Sequence, residues 1–591
     1  MRKAKQAVPS EIVETSSHPL GKTVGRRSVL QGIVTLAGCS IVPAVAPETV
    51  AAQAAAKSAG SDSAPPPGTA NTIIRASDSN AIVETDSGKV RGFTRNGINT
   101  FLGIPYAASP EGKARYQAPA KVTPWPGVRS SMQYGLVSPQ EARAGWGDDE
   151  VAWMFDWDDG RFGEDCLRVN LWTPAVNDSK KRPVMVWLHG GGFSAGSGQE
   201  LKSYYGENLS RRGDAVVVSL NHRLGVLGYL DLSEAGGANY ANSANCGMLD
   251  IVAALEWVRD NIANFGGDPG NVMIFGQSGG GGKVNTLMAM PAAKGLFHKG
   301  AVQSGSLMNA AMKEDSAKLG AAVLQQLELT AAQIDQIHEV PVDKLISAGA
   351  AAVRSLAPPF QPGGTFRLPR IGWQPTQDGT NLPQQPWDPT APAITADVPV
   401  LVGTVLNEFS TGLYDPKLPR LTDAELLARV KAQHSEKADK IIAVFRQDHP
   451  TEKPGDIFSR ISAAPVRQGG ITQCERKAAQ KTAPAYNYWF TWRTPVLDGR
   501  PGAFHCSELA FVFDNTDHCA PMTGGGPGPR ALAGKVSDAW ISFARNGDPN
   551  HSGLPHWPSF TAEQCPTMIF DTECVMKNNP DGAERKVLAE T

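Results

Sequence analysis

The sequence predicts an α/β fold in which a mainly parallel β-sheet is covered by helices on both faces. Short apolar runs, typical of buried parallel strands, occur at residues 184–188, 272–275 and 398–404. They alternate with segments whose apolar residues recur at helical spacing, at residues 249–264, 313–353 and 421–445. Helical and proline-rich segments between the later strands, including residues 358–369 and 374–392, predict insertions above the sheet edge.

The first 76 residues differ in composition from the rest of the chain. Arg26 and Arg27 form a twin-arginine pattern before a modestly apolar run, which is typical of an export signal for a pre-folded protein. We therefore predict a signal over residues 1–56, a disordered Ala/Ser/Pro-rich linker over residues 57–76, and a periplasmic or extracellular location. Leu-Ala-Gly-Cys ending at Cys39 also resembles a lipobox, so a lipoprotein held to a membrane through Cys39 stays open.

Composition indicates an ordinary globular protein. Hydrophobic residues make up 41% of the chain, and 56 basic against 58 acidic residues give a formal charge of −2. This balance shows no excess of positive charge, so nothing indicates a nucleic-acid partner. Seven of the eight cysteines follow the leader, an odd number that leaves at least one free thiol, although Cys565 and Cys574 are close enough in sequence to pair. The pairs His505-Cys506 and His518-Cys519 lack the tight spacing of a metal site, so no metal is expected.

The most informative motif is Gly276-Gln277-Ser278-Gly279-Gly280, a G-x-S-x-G pattern directly after the apolar run 272–275. A serine between a strand and a helix is held on a sharp turn with its hydroxyl exposed, and the flanking glycines avoid clashes with neighbouring elements. In a glycine-rich chain the same pattern also fits an ordinary turn. With the motifs described next, it favours Ser278 as a nucleophile.

A second glycine cluster, His189-Gly190-Gly191-Gly192, follows the apolar run 184–188. Backbone N–H groups of Gly191 and Gly192, together with that of Gly279, could converge on one point and form an oxyanion hole. A flexible loop or a phosphate-binding loop is the alternative. The phosphate-loop pattern fails because Lys283 is followed by Val284 and not by Ser or Thr.

A hydroxyl nucleophile needs a base, and the base needs a carboxylate to orient it. His505 lies in the segment Gly502 to Leu509 before an apolar run, and Glu408 lies in the short loop after the run 398–404. The alternatives are a core histidine and a solvated loop carboxylate. The chain order Ser278, Glu408, His505 is the order of nucleophile, acid and histidine in α/β-hydrolases.

These motifs and several others give the chain a specific resemblance. From about residue 81 to about residue 560 it resembles the type-B carboxylesterase family, which includes cholinesterases, bacterial para-nitrobenzyl esterases and the non-catalytic neuroligins. The further segments that carry the resemblance are GKVRG (88–92), FLGIPYA (101–107), EDCLRVNLWTP (164–174), NHRLG (221–225), WVRDNI (257–262), FGGDP (265–269), QSGS (303–306) and FARNGDP (543–549).

The resemblance implies a single α/β-hydrolase domain over residues 77–591, with helical insertions that roof the active site. It implies a serine carboxylic-ester hydrolase that needs no cofactor and acts on small-molecule esters through an acyl-enzyme. The matching positions are Ser278 (nucleophile), Glu408 (acid), His505 (base), Gly191, Gly192 and Gly279 (oxyanion hole) and Ser306 (a buried serine near the triad). An amidase or transacylase with the same triad remains an alternative. A non-catalytic binding module is a remote one, since the neuroligin-like members lack the serine that this chain has.

The chain departs from the family pattern at three positions. Gln277 stands where Glu is common before the nucleophile, Gly279 where Ala is usual after it, and Ser138 where many members have a cysteine that pairs with the cysteine at position 166. We therefore expect Cys166 to lack its usual partner. We also expect neutral esters to be preferred over choline esters, because a cation-attracting charge beside the nucleophile is missing.

Overall fold

A computed structural model describes residues 72–141, 149–356 and 371–590. The predicted export signal, Cys39 and the proline-rich residues 358–369 lie outside the described residues, as does most of the predicted linker. The end of that linker is described, and here the prediction differs from the structure. Residues 74 and 75 form an edge strand, because their backbone pairs antiparallel with Arg95 and Thr94 while their side chains stay exposed.

One large sheet dominates the architecture. The strands of the described residues are β1 (Ile74–Arg75), β2 (Ile82–Thr85), β3 (Gly88–Arg91), β4 (Phe93–Arg95), β5 (Ile98–Pro105), β6 (Val128–Ser130), β7 (Arg168–Thr173), β8 (Arg182–Leu188), β9 (Val216–Leu220), β10 (Gly267–Gln277), β11 (Lys299–Gln303), β12 (Ala311–Met312), β13 (Thr376–Gln377), β14 (Val400–Val405), β15 (Ala485–Phe490), β16 (Pro566–Phe570) and β17 (Val575–Asn578). The large sheet has the order β1-β4-β5-β7-β9-β8-β10-β11-β14-β15-β16-β17. Neighbours from β9 to β16 run parallel, whereas the pairs toward both edges run antiparallel.

Helices cover both faces of this sheet. In chain order, the α-helices of the described residues are α1 (Asp149–Phe155), α2 (Glu207–Gly213), α3 (Gly225–Gly228), α4 (Ser233–Gly236), α5 (Cys246–Asn261), α6 (Gly279–Ala289), α7 (Lys313–Gln326), α8 (Val342–Leu356), α9 (Asp423–His434), α10 (Ala438–Asp448), α11 (Pro454–Ala479), α12 (Leu509–Val512), α13 (Ala520–Thr523), α14 (Pro527–Asn546) and α15 (Gly582–Ala589). Adjacent strand residues alternate between two cores, since Val186 packs with helices α5, α6 and α11 while Trp187 packs with α12 and α14. This double coverage explains why every residue of β8 is buried.

The predicted helical insertions are present, but each is divided. Residues 313–353 form α7 and α8 around a core of their own, and residues 421–445 form α9 and most of α10 around another. Ser435, with a φ of 51°, separates α9 from α10, because a left-handed residue ends the run of helical hydrogen bonds. None of the helices in the described ranges is long and apolar enough to cross a membrane.

The seven cysteines of the described residues are all buried, free thiols. Among the described residues Cys166 has no disulfide partner. The pairing of Cys565 with Cys574 is wrong, because the two side chains belong to the hydrophobic cores on opposite faces of the sheet. Closeness in sequence does not bring thiols together when a strand, here β16, runs between them and separates the faces.

Candidate active site

Ser278 lies on a strained turn between the end of β10 and the start of α6. Its φ of 55° and ψ of −124° are unusual for a residue with a side chain. The turn is crowded, since a Cβ added at Gly280 would lie 2.0 Å from the Leu188 carbonyl oxygen, and one added at Gly276 would lie 2.4 Å from Gly280. Only glycines on both sides allow the chain to reverse here, as the sequence motif predicted.

Glu408 and His505 meet at the ends of neighbouring segments. Glu408 follows β14, and the backbone N–H of His505 donates to its carbonyl oxygen at 3.0 Å. The side chains are also joined, with 2.5 Å between His505 Nδ1 and Glu408 Oε2. The other carboxylate oxygen of Glu408 accepts from Ser304 Oγ at 2.8 Å and from the Val405 N–H at 3.1 Å. The carboxylate is therefore buried but well supplied with donors.

Gln277 contacts the edge of the His505 ring that faces away from Glu408. Gln277 Nε2 lies 2.9 Å from His505 Nε2, and Cys506 Sγ lies 3.1 Å from Gln277 Oε1. An amide that donates to Nε2 requires that nitrogen to be unprotonated, which places the ring proton on Nδ1, toward Glu408. Among the described residues, no hydrogen bond joins Ser278 Oγ to His505 in this state. Such bonds often tighten only when substrate is bound.

The glycines of the expected oxyanion hole lie beside Ser278. Gly191 and Gly192 follow β8 with φ values of 77° and 60°. Gly279 is packed against this loop so closely that a Cβ on it would lie 2.2 Å from the Gly192 carbonyl oxygen and 2.5 Å from the Gly192 nitrogen. The backbone at the start of α6 and the backbone of the glycine loop (residues 190–192) are thus in direct contact.

Ser278 and the three glycines line a cavity of about 730 Å³. Most of the other side chains in its wall are apolar: Phe193, Ala195, Leu307, Met308, Ala310, Ala311, Met312, Phe409, Pro465 and Val466. Asp315, whose carboxylate lies 3.4 Å from Lys318 Nζ, is also part of the wall. The ring of Phe409 lies against that of His505, with 4.0 Å between centroids and 30° between the ring planes. This arrangement suits an apolar ligand with one polar, reactive group.

The sequence-based assignment of Ser306 differs from the structure. Ser306 is half-buried in the cavity wall. The serine that donates to Glu408 is Ser304, two residues earlier, whose φ of 48° turns the chain at the end of β11. Both residues belong to the same QSGS segment, and only the tertiary structure shows which hydroxyl faces the acid.

Three buried ionisable groups near the site were missed as functional candidates. Burial raises the pKa of Glu508 to about 8 and that of Glu200 to about 8, and it lowers the pKa of Lys283 to about 7. Glu508 Oε1 accepts from Gln303 Nε2 at 3.2 Å, and its Oε2 has no hydrogen-bond partner among the described residues. For Glu508 the available signal was a charged residue directly before an apolar run, Leu509 to Phe513. Among the described residues no cluster of His, Cys, Asp and Glu is arranged to hold a metal ion.

Comparison with known proteins agrees with this geometry. The carboxylesterase family matches residues 79–587. The chain is 35% identical to a para-nitrobenzyl esterase of Bacillus subtilis (strain 168), over 86% of this chain and 98% of that protein. It is 31% identical to a phenmedipham hydrolase of Pseudarthrobacter oxydans, over 83% of this chain and 95% of that protein.

Solved structures give the same result. An esterase from Clostridium hathewayi superposes with a TM-score of 0.75 at 34% identity, covering 88% of this chain and all of that one. A carboxylesterase of Geobacillus stearothermophilus superposes with a TM-score of 0.70 at 33% identity, covering 86% of this chain and 99% of that one. The α/β-hydrolase fold, the matched family and these relatives together identify the chain as a member of the carboxylesterase family and as a carboxylic ester hydrolase.

Proposed function

We propose that this esterase works through an acyl-enzyme on Ser278, with His505 as general base and Glu408 as the orienting acid. The observation that carries the proposal is the strained Ser278 turn beside a histidine whose Nδ1 is bonded to a buried carboxylate. Glu408 keeps the ring proton on Nδ1, so that Nε2 can accept a proton from the serine. For this step the Ser278 hydroxyl replaces the Gln277 amide as the hydrogen-bond donor to His505 Nε2.

Ser278 Oγ attacks the ester carbonyl carbon while its proton moves to His505 Nε2, and the imidazolium is stabilised by Glu408. The N–H groups of Gly191, Gly192 and Gly279 stabilise the negative charge that forms on the carbonyl oxygen. The alcohol leaves with the proton from Nε2. Water then attacks the acyl-enzyme by the same route and releases the acid.

The substrate class that we propose is small, neutral carboxylic esters with an apolar acyl or alcohol part. The support is the apolar cavity wall and the neutral side chain of Gln277 beside the nucleophile. The name of one relative, para-nitrobenzyl esterase, points to esters that carry an aromatic group. An amidase or transacylase with the same triad differs only in leaving group or acceptor, so a matched ester and anilide separate these functions.

Substitution of the nucleophile is the decisive experiment. We expect Ser278→Ala to lower kcat for para-nitrophenyl butyrate by about 10⁴-fold or more with the fold intact, because the covalent route depends on that hydroxyl. Mass spectrometry should find organophosphate on the peptide that contains Ser278. Ser347→Ala, on the outer surface of α8, is the control and should keep wild-type activity. Wild-type activity in Ser278→Ala would contradict the proposed mechanism.

A further inference from the structure

Lys283 is a fully buried lysine in the second turn of the helix that begins beside the nucleophile. Its Nζ donates to the His189 carbonyl oxygen at 2.8 Å and lies 3.4 Å from the Gly190 carbonyl oxygen. The ammonium group also lies 5.7 Å from the centre of the Phe193 ring, a cation–π distance. One side chain of α6 therefore reaches the backbone of the loop that carries Gly191 and Gly192.

This position is costly for a lysine. Burial disfavours the charged ammonium, and the N-terminal end of a helix is the positive end of its dipole. Carbonyl oxygens are the groups that offset this cost, and those that receive the ammonium belong to the glycine loop. The lysine thereby connects the start of the nucleophile helix to the loop across 94 and 93 residues of sequence separation.

The contact reaches the oxyanion hole through a single peptide group. The Gly190 carbonyl and the Gly191 N–H are the two ends of the same planar amide. That carbonyl also accepts from His189 Nδ1 at 3.0 Å. Donors on the oxygen of an amide withdraw electron density and make its N–H a stronger donor, which is the cooperativity of linked hydrogen bonds.

We propose that Lys283 is a positioning residue of the oxyanion hole, whose ammonium group fixes the His189 and Gly190 carbonyls and so orients and polarises the Gly191 N–H. This inference rests on the proposed acyl-enzyme mechanism. It adds a side chain to a site that is otherwise built from backbone N–H groups. Lys283 does not itself touch the reacting atoms, and it acts through the peptide group.

The charge of Lys283 depends on the groups around it. Burial lowers the pKa of His189 and of His222 well below the usual range, so this stacked pair, with ring centres 5.0 Å apart, is neutral at pH 7 and above. Burial raises the pKa of Tyr204 well above its usual range. Lys283, with a pKa of about 7, and Glu200, with a pKa of about 8, therefore change charge in the working range. When Glu200 ionises, its negative charge favours the charged form of Lys283. Lys283 therefore loses its charge over a wider range, which extends to higher pH.

The test compares two buried lysines. Lys477 is also fully buried, and its Nζ donates to the Thr395 and Ala396 carbonyl oxygens at 3.1 and 2.7 Å, on a helix outside the oxyanion loop. We expect Lys283→Met to lower kcat about 10- to 100-fold with KM within about threefold, because the donor is needed most in the transition state. Lys477→Met should keep the wild-type kcat and KM even where its melting temperature falls. Each rate is divided by the concentration of active sites, which is measured by titration with an organophosphate. Unfolded protein then does not lower the kcat that is obtained.

The pH profile separates positioning from mere packing. In the wild type, kcat should decrease as pH rises from about 7 to 9, because Lys283 loses its charge, and Lys283→Met should lack this decrease. A Lys283→Met enzyme with wild-type kcat, or with the same alkaline decrease, would overturn the proposal. If the methionine variant does not fold, Lys283→Gln is measured against the same two criteria. Esterase activity of the wild type, lost in Ser278→Ala, shows that the underlying mechanism stands whichever way the Lys283 result falls.

Discussion

The candidate site has two parts that are built in different ways. The proposed oxyanion region, residues 189–196 with the start of α6, offers backbone N–H groups, and Gly191, Gly192 and Gly196 within it have positive φ values. The acid–histidine region, around residues 404–408 and 503–508, supplies side chains that are held by a buried hydrogen-bond network. The first part depends on where the backbone lies, and the second depends on which side chains are present. Substitutions should therefore act differently on the two parts.

The acid–histidine region itself contains two buried glutamates with different surroundings. Glu408 receives hydrogen bonds from His505, Ser304 and the Val405 N–H, which suits an ionised carboxylate. Glu508 receives one from Gln303, and burial raises its pKa to about 8. A carboxyl group that is mostly protonated at pH 7 cannot stabilise an imidazolium as a carboxylate does. The number of donors thus distinguishes the proposed acid from its neighbour.

The largest effect is expected from removing the charge of the acid. Glu408→Gln should lower kcat about 10³- to 10⁴-fold, because an amide neither stabilises the imidazolium nor fixes the tautomer of His505. Steady-state kinetics with a para-nitrophenyl ester at pH 7 to 8 measure this loss. Less than a tenfold decrease would mean that another carboxylate is the acid.

Glu508→Gln is the matched control for Glu408→Gln, and its kcat should stay within about threefold of the wild type. Its stability should also depend less on pH. The folded-state pKa of Glu508 lies above its unfolded value, so the stability that this group contributes is complete below about pH 4.5 and is lost as pH rises toward 8. Between pH 5 and 8 the unfolding free energy should therefore decrease less in Glu508→Gln than in the wild type. Denaturant unfolding at the two pH values tests this.

An intermediate effect is expected in the oxyanion region from one added methyl group. Gly279→Ala should lower kcat about 10- to 100-fold with little change in KM, because the Cβ would displace the backbone at Gly192. Gly528→Ala, where a Cβ meets no other atom within 4 Å, is the control. Since alanine is usual at this position in the family, wild-type kcat in Gly279→Ala would show that the loop moves at no cost.

The smallest effect concerns the side chain that lies between the two parts. Gln277→Glu should raise kcat/KM for butyrylcholine, relative to its neutral isostere 3,3-dimethylbutyl butyrate, about fivefold, which is roughly 1 kcal/mol. The expected change is modest because Gln277 is buried and contacts His505 and Cys506, so its charge would act on the substrate from a distance. An unchanged ratio would locate cation discrimination elsewhere in the cavity wall, for example at Asp315.

Much of the fold and of the site could be predicted from local sequence. The apolar runs 184–188, 272–275 and 398–404 lie in β8, β10 and β14, because buried parallel strands tolerate few polar residues. The Ser278 turn was predictable because the G-x-S-x-G motif carries the glycines that the crowding beside β8 requires. By contrast, no clear sequence pattern indicated the division of residues 421–445 at Ser435 or the edge strand at Ile74. A single left-handed residue and a two-residue strand pairing both depend on the residues that pack around them in the folded protein.

The sequence by itself determined the chemistry that can occur here: a serine forced onto a tight turn, glycine-rich backbone after two strands, and a histidine and a glutamate in hydrolase order. Only the tertiary structure decided that Ser304 faces the acid, that Glu408 is better supplied with donors than Glu508, and that Lys283 reaches the His189 carbonyl. The reason is physical. The steric demand of the Ser278 turn is met by glycines that stand next to the serine in the sequence, whereas desolvation and hydrogen-bond supply depend on which groups, far apart in the chain, meet in the folded protein.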